Sequence, residues 1–395
     1  MQRTLFLKNR PLVTFQWTEN GQFSIRKIHE EDFSFWPHLL QKNHEPQLIK
    51  EWISQRITHT GQKILKRIKE AIKTEGLLDK VALTKGLSLN DTFWIGKENE
   101  NFEEVNLYNN SFNEEIAALA FSPDTQKIIN FISRSPEYSS EGVMRKCWIK
   151  RDNIIYLMKA DDWPNTGNYN QIFAEYFATQ LAEVFDVPHV SYFLEQHINH
   201  LNQPEIVSLC KLFTSTTQSF LAAKNFFLFH GISANDLLPS WLETPYYHDN
   251  LMRYYQQEFY EDMMVFDAII GNQDRHLNNF GYLFNSDNGK FTQPAPLFDH
   301  GLSLLSGVLN REIMSLNDCL NYADRGAYLN FSAQIQHFIR ERHVEKIERL
   351  KKYELKQHPQ FKISEQALEK IQIYIQYRAN QCLSHLEQSH SSCKQ

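Results

Sequence analysis

Apolar positions along this chain follow two periods, and the period changes several times. Leu5–Leu7 and Val13–Trp17 are short β-like runs, Glu19-Asn20-Gly21 is a turn, and Phe23–Ile28 alternates, so 4–29 reads as strands. Over 45–73 the spacing becomes helical, with Leu48, Ile49, Trp52, Ile53, Ile57, Ile64, Leu65, Ile68 and Ile72 recurring at threes and fours. Lys63, Lys66, Arg67, Lys69 and Lys73 fall between them, the pattern of a solvated helix face rather than of a phosphate patch. The stretch 86–121 is mixed, with a further helix expected from Asn113. Ser122-Pro123-Asp124 and Ser133–Pro136 then break the pattern and mark a domain edge.

Beyond 140 the order is hairpin, helix, strand, strand. Cys147–Lys150 and Asn153–Lys159 form the hairpin. Ile172, Phe173, Tyr176, Phe177, Leu181 and Val184 line one face of a helix over 170–186, and Val187–Leu194 and Ile206–Phe213 are strands. This predicts a small sheet with one helix on it. After 216 the chain becomes mostly helical. Met252, Tyr255, Phe259, Met263, Phe266 and Ile270 predict an amphipathic helix over 251–270, ended by Gly271-Asn272. Gly281–Phe284 is a short strand, Asn285–Lys290 a turn and Phe291 the start of a returning strand. The tail over 331–389 is helical.

Composition narrows the classes. The 395 residues are 42% hydrophobic and 22% charged, an ordinary globular mixture long enough for two or three units. The formal net charge of −6 argues against general nucleic-acid binding, which needs a surplus of lysine and arginine. None of Cys147, Cys210, Cys319, Cys382 and Cys393 is paired at metal or redox spacing, which fits a reducing, cytoplasmic compartment. No run approaches the roughly 20 apolar residues of a transmembrane helix, and no Sec-type leader is expected, which leaves leaderless export of an effector open.

The informative segment is Gly271-Asn272-Gln273-Asp274-Arg275-His276-Leu277-Asn278-Asn279-Phe280-Gly281, followed by Asp299 inside Pro296–Gly301. Taken singly, an Asp and an Asn five apart in a loop are turn-capping residues, and Asp299 is a helix cap or an ion-pair partner. Taken together, with a hairpin that can return Asp299 to the loop, they meet the demands of phosphoryl transfer. That chemistry needs a carboxylate at the acceptor hydroxyl, hard oxygen ligands for Mg²⁺ and a cation on the phosphates of ATP.

At Asn272–Gly281 and Ala295–Asp299 the chain resembles the HipA-like serine/threonine kinases. The resemblance covers roughly 140–305 and implies an α+β, bilobal protein-kinase-like fold. It divides the chain into an N-terminal accessory region over 1–130, a small β-rich N-lobe over 131–215 and a mainly helical C-lobe over 216–395. It makes Asp274 the catalytic carboxylate and Asn279 and Asp299 the Mg²⁺ ligands. Lys159 resembles the strand lysine on the ATP phosphates, and Glu175 the helix residue that holds it; an exposed lysine and a solvated glutamate are the plainer readings. Ser139, Ser140, Gly142 and Lys146 sit where the family's phosphate loop lies, although Met144 stands where the family often has Gln. Ser139 and Ser140 are candidate sites of self-phosphorylation, or ordinary turn serines. Ser208–Phe213, with Lys211 and Phe213, would meet adenine, and His276 would orient the loop rather than bind metal. The acceptor would be a protein of unknown identity, and an inhibitory or antitoxin partner and a role as toxin or effector are implied. A phosphoinositide-kinase-like lipid or small-molecule kinase, an ATP-binding pseudokinase and transfer of AMP stay open as alternatives.

Overall fold

The computed structural model describes residues 1–58, 77–109, 145–161, 171–198, 202–306, 315–322 and 324–392. Among them are three antiparallel sheets and a set of helices, a mixed α/β fold. The first sheet has the order β3-β2-β1-β4, from β1 (Gln2–Leu7), β2 (Arg10–Trp17), β3 (Phe23–Ile28) and β4 (Phe93–Gly96). Leu5, Val13, Phe15 and Ile95 are buried with Ile49 and Ile53 of α1 (Pro46–Thr58) and Val81 of α2 (Leu77–Thr84). The helix expected over 45–73 is present from Pro46 to Thr58, and its remainder lies outside the described residues.

The second sheet, β5-β6-β8-β7, is the one foreseen from hairpin, helix, strand and strand. Its strands are β5 (Arg145–Arg151), β6 (Ile154–Ala160), β7 (Tyr192–Ile198) and β8 (Pro204–Lys211), and α3 (Gln171–Phe185) covers one face. Asp152 and Asn153 turn the β5–β6 hairpin with φ of +49° and +62°, which short polar residues tolerate best. The strand expected over 187–194 begins only at Tyr192, because Pro188 has no N–H for a ladder; His189 makes a single bridge to Leu297.

The third sheet, β11-β10-β9, contains an element the pattern did not announce. The β10 (Gly281–Asn285) and β11 (Phe291–Pro294) hairpin is as expected. β9 (Gln218–Ala222), five residues that run straight into α4 (Ala223–Phe229), pairs with β10 from some sixty residues away, and no local period marks so short a strand. The helix expected over 251–270 is two helices, α5 (Pro245–Met252) and α6 (Gln257–Ile270). Between them Tyr255 is buried in the core and its hydroxyl donates to the Gly281 carbonyl at 2.6 Å. The helices α7 (Phe331–Phe338), α8 (Val344–Lys352) and α9 (Glu365–Ser392) follow. α3, α6, α7, α8 and α9 share one core, with Phe173, Phe177 and Phe185 set against Phe266 and Ile371. No helix among the described residues is long and apolar enough to cross a membrane.

Candidate active site

The site forms where β6, α3, the loop after α6 and the segment after β11 converge. Lys159 stands one residue from the end of β6 and is buried. Its Nζ donates to Glu175 Oε1 on the fully buried face of α3, and to Asp299 Oδ1 at 2.8 Å. Ser208, opposite Lys159 on β8, donates from Oγ to the other Glu175 oxygen at 2.7 Å. The alternation of β6 points Lys159 inward, and the helical step of Ile172, Glu175 and Ala178 puts Glu175 among core residues.

Gly271, at φ +66°, closes α6 and turns the chain into the loop. Asp267, in the last turn of α6, accepts from Asn272 Nδ2 at 2.9 Å and from Arg275 Nε at 2.8 Å. Arg275 also donates to the carbonyls of Asn279 (2.6 Å) and Phe298 (2.7 Å) and to His300 Nδ1 (3.1 Å). One buried guanidinium thus joins the helix end, the loop and the residue before Asp299. Asn272 Oδ1 takes the Asp274 N–H at 3.1 Å, and Asn279 Nδ2 donates to the Asp274 carbonyl at 2.7 Å and to Asp274 Oδ2 at 3.3 Å. His276 Nε2 lies 3.8 Å from Asp274 Oδ1. Asp299 itself has φ +60°, and its N–H donates to the Tyr192 hydroxyl at 3.0 Å.

The charges are unequal by construction. Burial pulls the Lys159 ammonium down, but Asp299 and Glu175 outweigh it and hold it well above the usual lysine value. Burial also opposes charge on Asp299, yet Lys159, Lys146 and Arg275 hold that carboxyl well below the usual carboxylate range. Glu175 is pushed up by its burial, with Lys159 and Ser208 acting the other way. One cation serves two carboxylates, and their surroundings push the two in opposite directions. Asp274 is raised by burial, with the charge of Asp299 adding and His276 opposing.

The donor set fits Mg²⁺ and the phosphates of ATP. Asp299 keeps 32% of its side chain open, and the hydrogen bonds of Asn279 use its amide nitrogen, which leaves its carbonyl oxygen on offer to a hard cation. Among the described residues no group of three or more His, Cys, Asp or Glu side chains is placed to hold a metal. Lys146 pairs with Lys159 across β5 and β6 and adds to the field on Asp299.

Of the residues singled out from sequence, Lys159, Glu175 and Asp299 are in direct contact, and Asp274 and Asn279 are hydrogen-bonded to each other. Phe213 packs on Phe298, whose ring centroid is 5.6 Å away, beside Asp299. Lys211 ends β8 exposed, opposite Tyr156. Ser139, Ser140 and Gly142 lie outside the described residues. The sequence reading missed Asp267, Arg275 and Tyr192. Asp267 gave a signal, since a carboxylate on the apolar face of α6 requires a partner. Arg275 gave only its place inside the loop, and Tyr192 gave none, because an aromatic in a strand ordinarily packs.

A strand lysine held by a helix glutamate, an Asp/Asn loop and a second Asp after a hairpin are the parts from which kinase-like centres are built. No family model matches the chain. The serine/threonine-protein kinase CtkA of Helicobacter pylori is 28% identical over 185 residues, 43% of this chain and 54% of CtkA, so the chain spans about half the length of that relative. This match supports the resemblance of the chain to the HipA-like serine/threonine kinases. The crystal structure of the H. pylori proinflammatory kinase CtkA aligns with a TM-score of 0.45 at 21% identity, over 62% of this chain and 95% of that one. HipA in the Shewanella oneidensis MR-1 toxin–antitoxin complex with HipB and operator DNA aligns with a TM-score of 0.48 at 10% identity, over 98% and 97%.

Proposed function

We propose that the protein is a Mg²⁺-dependent ATP phosphotransferase, a protein serine/threonine kinase of HipA-like type that phosphorylates itself. The observation that carries this reading is the buried Lys159 bonded at once to Glu175 and Asp299, beside the Asp274–Asn279 loop. In the proposed arrangement Lys159 and Lys146 hold the phosphates, and Asn279 and Asp299 hold Mg²⁺, which neutralises charge on the transferring group when bound. Asp274, 40% open, receives the proton of the acceptor hydroxyl, and His276 and Asn279 orient it. Residues 131–215 and 216–395 are the two lobes of this reading, with 1–130 as an accessory region. A protein acceptor, an inhibitory partner and a cytoplasmic setting belong to the same proposal.

The test is to incubate the purified protein with Mg²⁺ and ATP and follow its intact mass, with Asp299→Asn as control. Gain of phosphate by the wild type, lost at least about 100-fold in the variant, is expected for a removed metal carboxylate. Equal transfer by Asp299→Asn would refute the metal role. An added AMP would change the reaction to nucleotide transfer, and failure to bind ATP in calorimetry would end the kinase reading.

A further inference from the structure

We infer that Tyr192 is the positioning residue that sets Asp299 and Lys159 relative to each other. The inference rests on the reading of Asp299 as a Mg²⁺ ligand given above.

Tyr192 opens β7 and is buried, paired with Cys210 on β8. Its backbone N–H donates to Thr179 Oγ1 at 2.9 Å, and the Thr179 hydroxyl donates to the Glu175 carbonyl at 3.0 Å. The start of the strand is therefore fixed to α3 one turn beyond Glu175. The Tyr192 ring stands 5.3 Å from Lys159 Nζ. At its far end the hydroxyl accepts the Asp299 N–H at 3.0 Å. One residue thus touches the helix that carries the glutamate through its backbone, and the lysine and the Asp299 backbone through its side chain.

The last contact has a specific consequence. Asp299 holds φ at +60°, a conformation that residues with a Cβ adopt rarely and keep only where their surroundings impose it. Three groups impose it here. Arg275 holds the Phe298 carbonyl, Lys159 holds the carboxylate, and Tyr192 holds the N–H between them. Lys159 must also serve phosphate in the proposed reaction, so the hold that does not depend on the nucleotide is the Arg275 and Tyr192 pair. Without the phenol oxygen the Asp299 N–H is left without that partner, and the residue can relax toward negative φ and swing its carboxylate off the metal. The lysine–glutamate pair does not use the phenol oxygen and would stay in place.

A tyrosine that merely filled the core would be replaced by phenylalanine at no functional cost, because the ring is the same. Tyr192→Phe is therefore the experiment, read as self-phosphorylation against Mg²⁺ concentration and as the Mg²⁺ dependence of ATP binding in calorimetry, with thermal melting to establish that the fold is kept. The expected result is a rise of about tenfold in the Mg²⁺ needed for half-maximal rate, the scale of one lost hydrogen bond, with KM for ATP at saturating Mg²⁺ within about twofold. Thr179→Ala, which loosens the strand and keeps the phenol, should move the same parameter the same way by a smaller factor. It also stands in should Tyr192→Phe fail to fold. Mg²⁺ curves that superimpose on the wild type for the folded variants overturn the role of Tyr192. If Asp299→Asn keeps wild-type transfer, or the wild type shows no Mg²⁺-linked ATP binding, it is the kinase reading that fails, and this inference with it.

Discussion

Asp274 sits in a conflict that its proposed role requires. Partial burial and the nearby charge of Asp299 push its carboxyl above the ordinary value, so the charge carries a local cost in the fold that it does not carry in the unfolded chain. The sign follows: that cost disappears as pH falls, while the capacity to accept a proton is lost at a higher pH than for an ordinary carboxylate. Asp274→Asn removes the charge, keeps the shape and keeps the amide of Asn279 near an acceptor. Transfer should fall by about 10²–10⁴, the usual worth of a positioned base. Nucleotide affinity by calorimetry should change little, and the melting temperature should stay level or rise. Lost ATP affinity would give Asp274 a different job.

At the scale of elements, the loop depends on how α6 ends and on what lies beneath it. Gly271 needs positive φ, and a Cβ there would lie 2.1 Å from the Tyr374 hydroxyl of α9. Tyr374 is itself fixed, since Arg378 donates to it at 3.2 Å and to Asp324 at 3.1 Å. Gly271→Ala therefore combines backbone strain with overpacking and should cost on the order of 2–4 kcal/mol in urea unfolding. It should also slow transfer by displacing Asp274. A loss below about 0.5 kcal/mol, the scatter of neutral surface substitutions, would mean that α9 yields easily. Farther along α6, Asp262 binds Arg342 at 2.9 Å, His343 at 2.8 Å and Lys346 at 2.7 Å, which ties the helix to α8 and steadies the same loop from the other end.

Across the whole molecule, the N-terminal sheet is fastened to the parts that frame the site. The Leu89 carbonyl accepts from the hydroxyls of Tyr108 (2.7 Å) and Thr214 (2.5 Å), and the Asn90 carbonyl accepts the Phe220 N–H at 2.6 Å. Arg56 donates to both Asp91 oxygens, at 2.7 and 2.5 Å, and so fixes this segment against α1. His38 completes the contact from the other side. Its Nε2 lies 2.8 Å from the Gly289 carbonyl, and its ring stacks on Phe291 and meets Phe284 and Phe229 edge-on.

Burial pushes His38 from 6.5 down to about 4, with the Gly289 carbonyl and Asp91 acting upward and His230 downward. Because the folded value is below the unfolded one, the unfolded state takes up protons first, and stability is lost as pH falls from about 6.5 toward 4, by on the order of 3 kcal/mol at full protonation. His248, buried between Tyr260 and the Leu242 carbonyl and also lowered to about 4, adds a loss of the same sign. Urea unfolding at pH 7 and pH 4.5 should show the fall, and His38→Gln, which keeps a donor for Gly289, should remove part of it. Equal pH dependence in the variant would mean that His38 does not report the docking of this region.

Local pattern was enough for the hairpins, for α3, for the C-terminal helices and for the cap at Gly271. Each of these is dictated by alternation, helical spacing or a residue that alone suits a left-handed turn. That Asp274 would meet Asn279, with Asp299 returned close by, was legible from the short loop and the hairpin that follows it; the chemistry assigned to them remains the proposal. β9 and the break before α6 were not legible, since a strand paired sixty residues away and a tyrosine pulled into a core are decided by partners that no window of sequence contains. The same holds for the Lys159 pair. Sequence supplied a lysine at a strand end and a glutamate on a helix face, each with a plainer reading. Burial together, with Asp299 as the second carboxylate, is what separates them from solvated charges. Arg275 and Tyr192 show the limit most clearly: their residue types carry no message of their own, and only the convergence of three elements on one backbone N–H and one buried guanidinium gives them a role.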